Sequence, residues 1–255
     1  METDQTTADV VVVGGGVAGL SAATFTARAD LDTLVLDAGG SILRRNAHLE
    51  NVPGFPAGID ARLFLDLLSE QAERAGCRRV EATVTRLRQR DHEPDRPRFT
   101  VETADGDRYE SRYVVAATKN TVEYLTGVDG VELVDRGKTF VATDERGRTG
   151  VPGLYAAGRL AGKPHQAAVS AGHGAEVAVT LLEDDERPFY HDWVAPDGYF
   201  TDRGRDVPPG CEEIDATERE ARDAESRTLL RDRLAEPHPS DQPTHPSLVD
   251  DEPSD

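Results

Sequence analysis

The first apolar run of the chain, residues 10–13, is Val-Val-Val-Val, with no polar position alternating through it. Such a β-branched run predicts a strand buried on both faces of a parallel sheet. A glycine turn follows at once, and small residues at Ala18, Ser21, Ala22 and Ala23 then predict a closely packed helix. Residues 33–36 form a second β-type run that ends in Asp37. After a stretch of Gly and Pro at 39–56, Asp60 is placed to cap a helix through about Ala75, with Leu63, Phe64, Leu67 and Leu68 at helical spacing. Residues 79–87 read as one alternating strand, and 88–98 as a polar loop. Runs at 99–103 and 107–111 flank Ala104-Asp105-Gly106 as a hairpin. Residues 113–118 give another buried strand, 144–147 a second small hairpin, and 154–157 a strand closed by Gly158. The helix at 166–182 is the last with a small, apolar packing face.

Beyond residue 186 the pattern changes. Phe189, Tyr190, Trp193, Tyr199 and Phe200 suggest a docking extension, for which packing on the chain's own core is the simpler alternative. Residues 217–234 predict a charged helix with Glu218/Arg222 and Asp223/Arg227 four apart. The order of elements implies an α/β fold: a Rossmann-like domain with a parallel sheet, helices and a small antiparallel β-meander, plus a C-terminal extension. The boundaries expected are a disordered arm at 1–8, a domain at 9–185 with halves 9–119 and 131–185, an extension and charged helix at 186–235, and a disordered acidic tail at 236–255.

Gly14, Gly16 and Gly19 form G-x-G-x-x-G between the first strand and the first helix. The first glycine permits the tight turn, the second admits a pyrophosphate against the backbone, and the third allows helix and strand to approach. Asp37 follows at the separation at which an acid meets an adenosine ribose. A glycine turn that holds no nucleotide is the plain alternative.

Charge narrows the setting. The formal net charge is -19, and Lys119, Lys138 and Lys163 are the only lysines among 29 basic residues. This acidic, lysine-poor balance is of the kind that keeps a protein soluble in concentrated salt, so a halophilic composition is expected. Residues from Glu183 onward carry -14 of the -19, and no basic stripe favours nucleic acid. Cys77 and Cys211 are far apart and suggest neither a metal site nor a C-x-x-C redox pair. No apolar run of ~18 residues could span a bilayer, and a reducing cytoplasm is the expected compartment.

Three separated motifs resemble one family. Gly14 to Gly19, the loop Glu50-Asn51-Val52-Pro53-Gly54, and the late T-G-V-P-G-L-Y-A-A-G with H-Q-A-A-V-S-A-G-H-G are similar to the FAD-binding domain of the thioredoxin reductase-like flavoproteins, the pyridine nucleotide-disulfide oxidoreductases. The resemblance implies FAD as cofactor. Gly14, Gly15, Gly16, Val17, Ala18 and Gly19 would hold its pyrophosphate, Asp37 with Ala38 would meet the ribose where relatives use glutamate, and Val84 would lie by the adenine. Asn51 would face the flavin end. Ala117 and Thr118 match the first two residues of the family's A-T-G, with Lys119 in the glycine's place. Gly158-Arg159 stands where relatives carry G-D, an exchange of acceptor for donor. His165, Gln166 and Ala167 match R-Q-A, which opens a helix against the flavin pyrimidine edge.

The same resemblance exposes two departures. There is neither a second dinucleotide fingerprint nor a C-x-x-C, and the halves are joined directly through about 120–135. The expected function is therefore an FAD-dependent oxidoreductase with an external electron donor and no dithiol relay. Its partner would be an unknown redox protein or small-molecule substrate. A non-catalytic FAD-binding or redox-sensing protein is the alternative, and an NAD(P)-dependent dehydrogenase a more distant one. No residue is assigned as a catalytic acid, base or nucleophile. The flavin face would be open, covered by residues 189–200, or buried in a homodimer.

Overall fold

The structure is a computed structural model that describes residues 6–90 and 98–244. In chain order the main sheet and its helices are β1 (Thr6–Val13), α1 (Val17–Arg28), β2 (Thr33–Asp37), α2 (Ala61–Arg74), β3 (Arg78–Glu81), β4 (Val84–Gln89), β5 (Phe99–Thr103) and β6 (Arg108–Ala116). Then come β7 (Leu133–Asp135), β8 (Thr139–Val141), β9 (Leu154–Ala156) and α3 (Ala167–Asp184), followed by β10 (Trp193–Pro196), β11 (Cys211–Ile214) and α4 (Ala216–Leu234).

β1 lies at the centre. It pairs in parallel with β2 on one side and with β6 on the other, in the sheet order β3-β2-β1-β6-β5-β4, with β9 also pairing β6. Val10 and Val12 face a core built with α1, α2 and α3, whereas Val11 and Val13 face one built with Leu36, Phe99, Tyr124 and Leu125. All of Val10, Val11 and Val12 are fully buried, each worth about 1.5–3 kcal/mol. The unbroken valine run thus has apolar partners on both faces.

On its edge away from β1, β6 serves two further pairings. Its first part runs antiparallel to β5 and its last part, Val114 to Ala116, runs parallel to β9. The hairpin expected at 99–111 and the buried strand expected at 113–118 are therefore joined by one continuous strand. The expected strand at 79–87 is instead two. Residues 78–81 form one edge of the sheet beside β2, and residues 84–89 form the opposite end beside β5. Ala82 and Thr83 carry the chain between them. The hairpin expected at 144–147 is a turn, with Asp144 Oδ1 accepting from the N–H groups of Arg146 and Arg148. The antiparallel pair lies earlier, at β7 and β8.

Both ends of the domain differ from expectation. Thr6 to Ala8 already belong to β1 and pair with Tyr109 to Ser111, so the strand takes in the end of the expected arm. Residues 1–5 lie outside the described residues, as do 245–255 of the expected tail. Within 236–244 the chain returns to the body: Ser240 O accepts from Arg62 at 2.7 Å and Arg44 O accepts from Gln242 at 2.8 Å. α4 buries none of its residues and is held to α2 by Arg233–Glu70 and Arg74–Glu225 pairs. In the extension, Trp193, Tyr199 and Phe200 stack edge to face on one another, with Arg203 4.0 Å from the Tyr199 ring centre.

Candidate functional site

The carboxyl ends of β2, β1, β6 and β9 are stitched side by side. Gly14 N–H donates to Leu36 O, Ala117 N–H to Val13 O, and Ala157 N–H to Ala116 O, each at 2.8 Å. This is the edge at which a doubly wound sheet takes its ligands. A cavity of about 760 Å³ opens there.

Its floor is the glycine turn. Gly14 has φ +109°, in the left-handed region, and a Cβ there would stand 2.7 Å from Ala117 O. A Cβ on Gly19 would stand 1.9 Å from Gly14 O, and one on Gly15 would meet the Asp37 carboxyl at 2.4 Å. Gly16 faces open space, with Ser41 Oγ the nearest atom at 3.8 Å. The turn is therefore tight on the protein side and bare on the cleft side.

Two helices begin at this cleft. Gly16 caps α1 and Gln166 caps α3, and neither helix has a side-chain cap. Their first N–H groups are left without intrahelical partners, and each helix end carries an effective charge of ~+0.5. By contrast, Asp60 accepts from Arg62 N–H and Leu63 N–H at the start of α2, and Asp215 accepts from Glu218 N–H at the start of α4. Only the helices that open on the cleft lack caps among the described α-helices.

Most residues singled out from sequence line this cavity: Gly14, Gly15, Gly16, Val17, Ala18, Asp37, Ala38, Asn51, Val84, Ala117, Thr118, Arg159, His165, Gln166 and Ala167. Asn51 Nδ2 donates to Gln166 Oε1 at 2.9 Å, which joins two motifs 115 residues apart. Gly19 and Gly158 do not line it. Gly19 packs beneath the turn, and Gly158, with φ +64°, packs against Ala18. Asp37 Oδ1 accepts from Gly39 N–H at 3.0 Å, and Arg79 stands 3.7 Å from Oδ2. No residue of 187–214 lines the cleft, so the aromatic extension does not cover it.

Sequence reading missed Tyr124 and, within the loop at 39–56, assigned no role to Ser41, Ile42 and Leu43, which also line the cavity. The Tyr124 hydroxyl lies 3.1 Å from Thr118 Oγ1, and complete burial pushes its pKa up. Arg159 Nε donates to Asn120 Oδ1 at 3.0 Å. His165 is held below its ordinary pKa by burial and by the neighbouring charges of Arg159, Lys119 and Lys138. It is therefore neutral at pH 7. Cys77 is buried and its thiol is pushed up to about 11 by desolvation, which keeps it protonated. Both cysteines are free. Among the described residues there is no cluster of His, Cys, Asp and Glu able to hold a metal, and no helix long and apolar enough to cross a membrane.

Fold and cleft together define a Rossmann-like dinucleotide-binding domain. Within that class the chain is similar to thioredoxin reductases: residues 64–174 match the family described as pyridine nucleotide-disulphide oxidoreductase, and residues 12–75 match the NAD(P)-binding Rossmann-like domain. It is 36% identical over 141 residues to a bifunctional thioredoxin reductase/thioredoxin of Mycobacterium leprae, covering 54% of this chain and 30% of that protein. It is 31% identical over 144 residues to the thioredoxin reductase of Listeria monocytogenes, covering 56% and 43%. The chain thus spans less than half the length of these relatives. Among solved structures, a thioredoxin reductase from Gloeobacter violaceus superposes with a TM-score of 0.63 at 20% identity, covering 74% of this chain and 100% of that one. The T. acidophilum thioredoxin reductase gives 0.61 at 20% identity, over 71% and 99%. These two likenesses establish the shared fold.

The cleft residues fit FAD. The bare Gly16 backbone beside the α1 N-terminus suits a diphosphate, Asp37 suits a ribose hydroxyl pair, and the open α3 N-terminus suits an electron-rich ring edge.

Proposed function

We infer that this chain binds FAD in the cleft and acts as an FAD-dependent oxidoreductase whose electrons arrive from a separate donor, without a dithiol relay. The observation that carries this reading is the pair of uncapped helix N-termini converging on one cavity over a glycine turn.

Bound FAD would supply the redox chemistry, taking an electron pair from a donor and passing it to an acceptor. The protein's part is to hold and tune. The turn from Gly14 to Gly16 and the α1 amides bind the diphosphate. Asp37 accepts from the ribose hydroxyls. The α3 amides stabilise negative charge at the adjoining ring edge, which favours reduction. Asn51 and Gln166, bonded to each other, fix the polar wall at that end.

An external donor is supported by the connection from β6 to β7, where residues 117–132 hold only a 3-10 turn at Glu123–Leu125. The lack of a relay is supported by Cys77, buried with a raised pKa, and by the absence of any cysteine from the cavity wall. A second reading, a non-catalytic flavin-binding or redox-sensing protein, is favoured by Arg159 and Lys119, which stand where the family has an acid and a glycine.

The test is an absorption spectrum of the protein incubated with FAD in molar salt and then desalted. Retained flavin absorption, bleached by dithionite but not by NADPH alone, is the expected result. A colourless protein that takes up no added FAD would overturn the proposal. Retained FAD that no donor and acceptor pair turns over would favour the second reading.

A further inference from the structure

Lysine is scarce in this chain, and two of its three lysines stand at one place. Lys119 and Arg159 line the cleft, as does His165. Lys138 belongs to the β7–β8 turn, which is fastened to the same wall: Arg159 Nε donates to Asn120 Oδ1 at 3.0 Å, and Asn120 Nδ2 donates to Thr139 O at 3.1 Å. Asn120 thereby ties the guanidinium to the strand that begins one residue after Lys138.

None of Lys119, Lys138 and Arg159 forms an ion pair among the described residues. Elsewhere the arginines are commonly paired, as Arg148 is with Asp184, Arg62 with Asp60, and Arg28 with Asp192. With 48 acidic residues in the chain, these three cations nonetheless have no carboxylate partner among the described residues. The acids that line the cavity are occupied elsewhere: Asp37 at the glycine turn and Glu50 with His48 at 2.8 Å. The cations repel one another and lower the affinity of Lys119 and His165 for protons, after burial itself.

Lys119 is also held at a conformational cost. Its φ of +65° lies in the left-handed region, where a residue with a Cβ is disfavoured by about 1–2 kcal/mol. The backbone there would suit glycine, and the chain carries a lysine.

We propose that Lys119, Lys138 and Arg159, with His165 beside them, form a phosphate-binding site in the mouth of the cleft. Phosphate fits better than a monocarboxylate because Lys119 and Arg159 line the opening and Asn120 ties Arg159 to Thr139, the residue after Lys138. Arginine offers a planar fork of donors and lysine a compact point charge, a combination suited to several phosphate oxygens. The phosphate belongs either to the cofactor's own diphosphate or to a second, phosphorylated molecule brought to the flavin. This inference deepens the FAD reading and rests on the same cleft, but its test does not require FAD to bind.

The probe is inorganic pyrophosphate, titrated by calorimetry into cofactor-free and FAD-loaded protein at the lowest salt that keeps the chain folded, since exposed charges are screened at high salt. FAD uptake is measured separately by absorbance. The variants are Lys119→Gln, Lys138→Gln and Arg159→Gln, with Lys119→Gly as a second change at the strained position. Each is expected to weaken pyrophosphate binding to cofactor-free protein on the order of tenfold, as loss of one charged contact does. Pyrophosphate binding to FAD-loaded protein, with FAD affinity unchanged in Lys138→Gln, would identify a second molecule. Pyrophosphate competing with FAD, and both weakened together, would identify the cofactor's diphosphate. If pyrophosphate does not bind the cofactor-free protein, or binds all variants equally, the phosphate site is refuted. Failure of FAD uptake alone would refute the FAD reading and leave the pyrophosphate result to decide this one.

Discussion

The backbone N–H of Gly158 donates to Nδ1 of His173 at 2.9 Å, joining the turn after β9 to the middle of α3. Because Nδ1 accepts, the ring proton sits on Nε2, which is buried without a protein partner. Burial is the main reason that the imidazole titrates at about 4, below its ordinary 6.5. A folded-state pKa below the unfolded one means that the neutral form belongs to the fold. Its contribution is complete above pH 6.5 and is lost as pH falls towards 4, by up to about 3 kcal/mol. Asp60, held at about 2 chiefly by its bond to Arg62, fails only at lower pH. His173→Asn keeps an acceptor for Gly158 and cannot titrate. Denaturant unfolding from pH 7 to 4 should therefore show a shallower fall for the variant than for the parent chain. Equal slopes would show that His173 does not govern this window.

Two glycines in α3 separate close packing from helix propensity. A Cβ on Gly174 would stand 2.1 Å from Ala18 O, whereas one on Gly172 meets nothing within 4 Å. Gly172→Ala should leave stability unchanged or raise it by about 0.5–1 kcal/mol. Gly174→Ala must push α3 off α1 and should cost at least about 2 kcal/mol, together with the alignment of the two uncapped helix ends. Thermal unfolding of the pair checks the contrast, and similar melting temperatures would contradict the close approach of the helices.

The part of this fold legible in the sequence is local in origin. Residues 10–19 carry their own strand, turn and helix start, and the structure adds little to them. The split between β3 and β4 was hidden because Val80, Ala82 and Val84 keep strand alternation across a stretch whose two ends pair with β2 and β5. Alternation reports faces and says nothing of partners. The basic wall was hidden for a related reason: Lys119, Lys138 and Arg159 are spread along the chain, and Arg159 is tied to the strand after Lys138 only through Asn120. The return of residues 238–242 to α2 rests on individual polar contacts such as His238 with Asp66 at 3.0 Å, for which composition offers no signal.

Lys119 supplies a test of function set against stability. Relief of a left-handed φ by glycine gains about 1 kcal/mol, and the added freedom of glycine in the unfolded chain returns a similar amount. Lys119→Gly should therefore unfold at the same denaturant midpoint or slightly above it. Lys119→Gln retains the strain and should gain nothing. A clear loss of stability in the glycine variant would mean that the lysine side chain supports the fold.

Asp37 gives the sharpest test of the cofactor reading. Its Oδ1 is engaged by Gly39 N–H at 3.0 Å, and its carboxyl lies so near Gly15 that any Cβ there would collide with it. The carboxyl thus stands at the edge of the glycine turn, with Ala38 beside it on the cavity wall. Asp37→Ala removes an ionised acceptor for ribose hydroxyls, a contact worth about 1.5–3 kcal/mol, and should weaken FAD binding by roughly 10- to 100-fold. Asp37→Asn keeps one acceptor oxygen and should lose less. Since Asp37 bonds Gly39 beside the glycine turn whereas the Asn51–Gln166 pair stands at the start of α3, the absorption band of whatever FAD remains bound should not shift. Equilibrium titration with FAD, followed by flavin fluorescence, measures both quantities. An unchanged affinity in Asp37→Ala would remove the ribose contact, and a shifted band would place the ring beside Asp37 instead of beside α3.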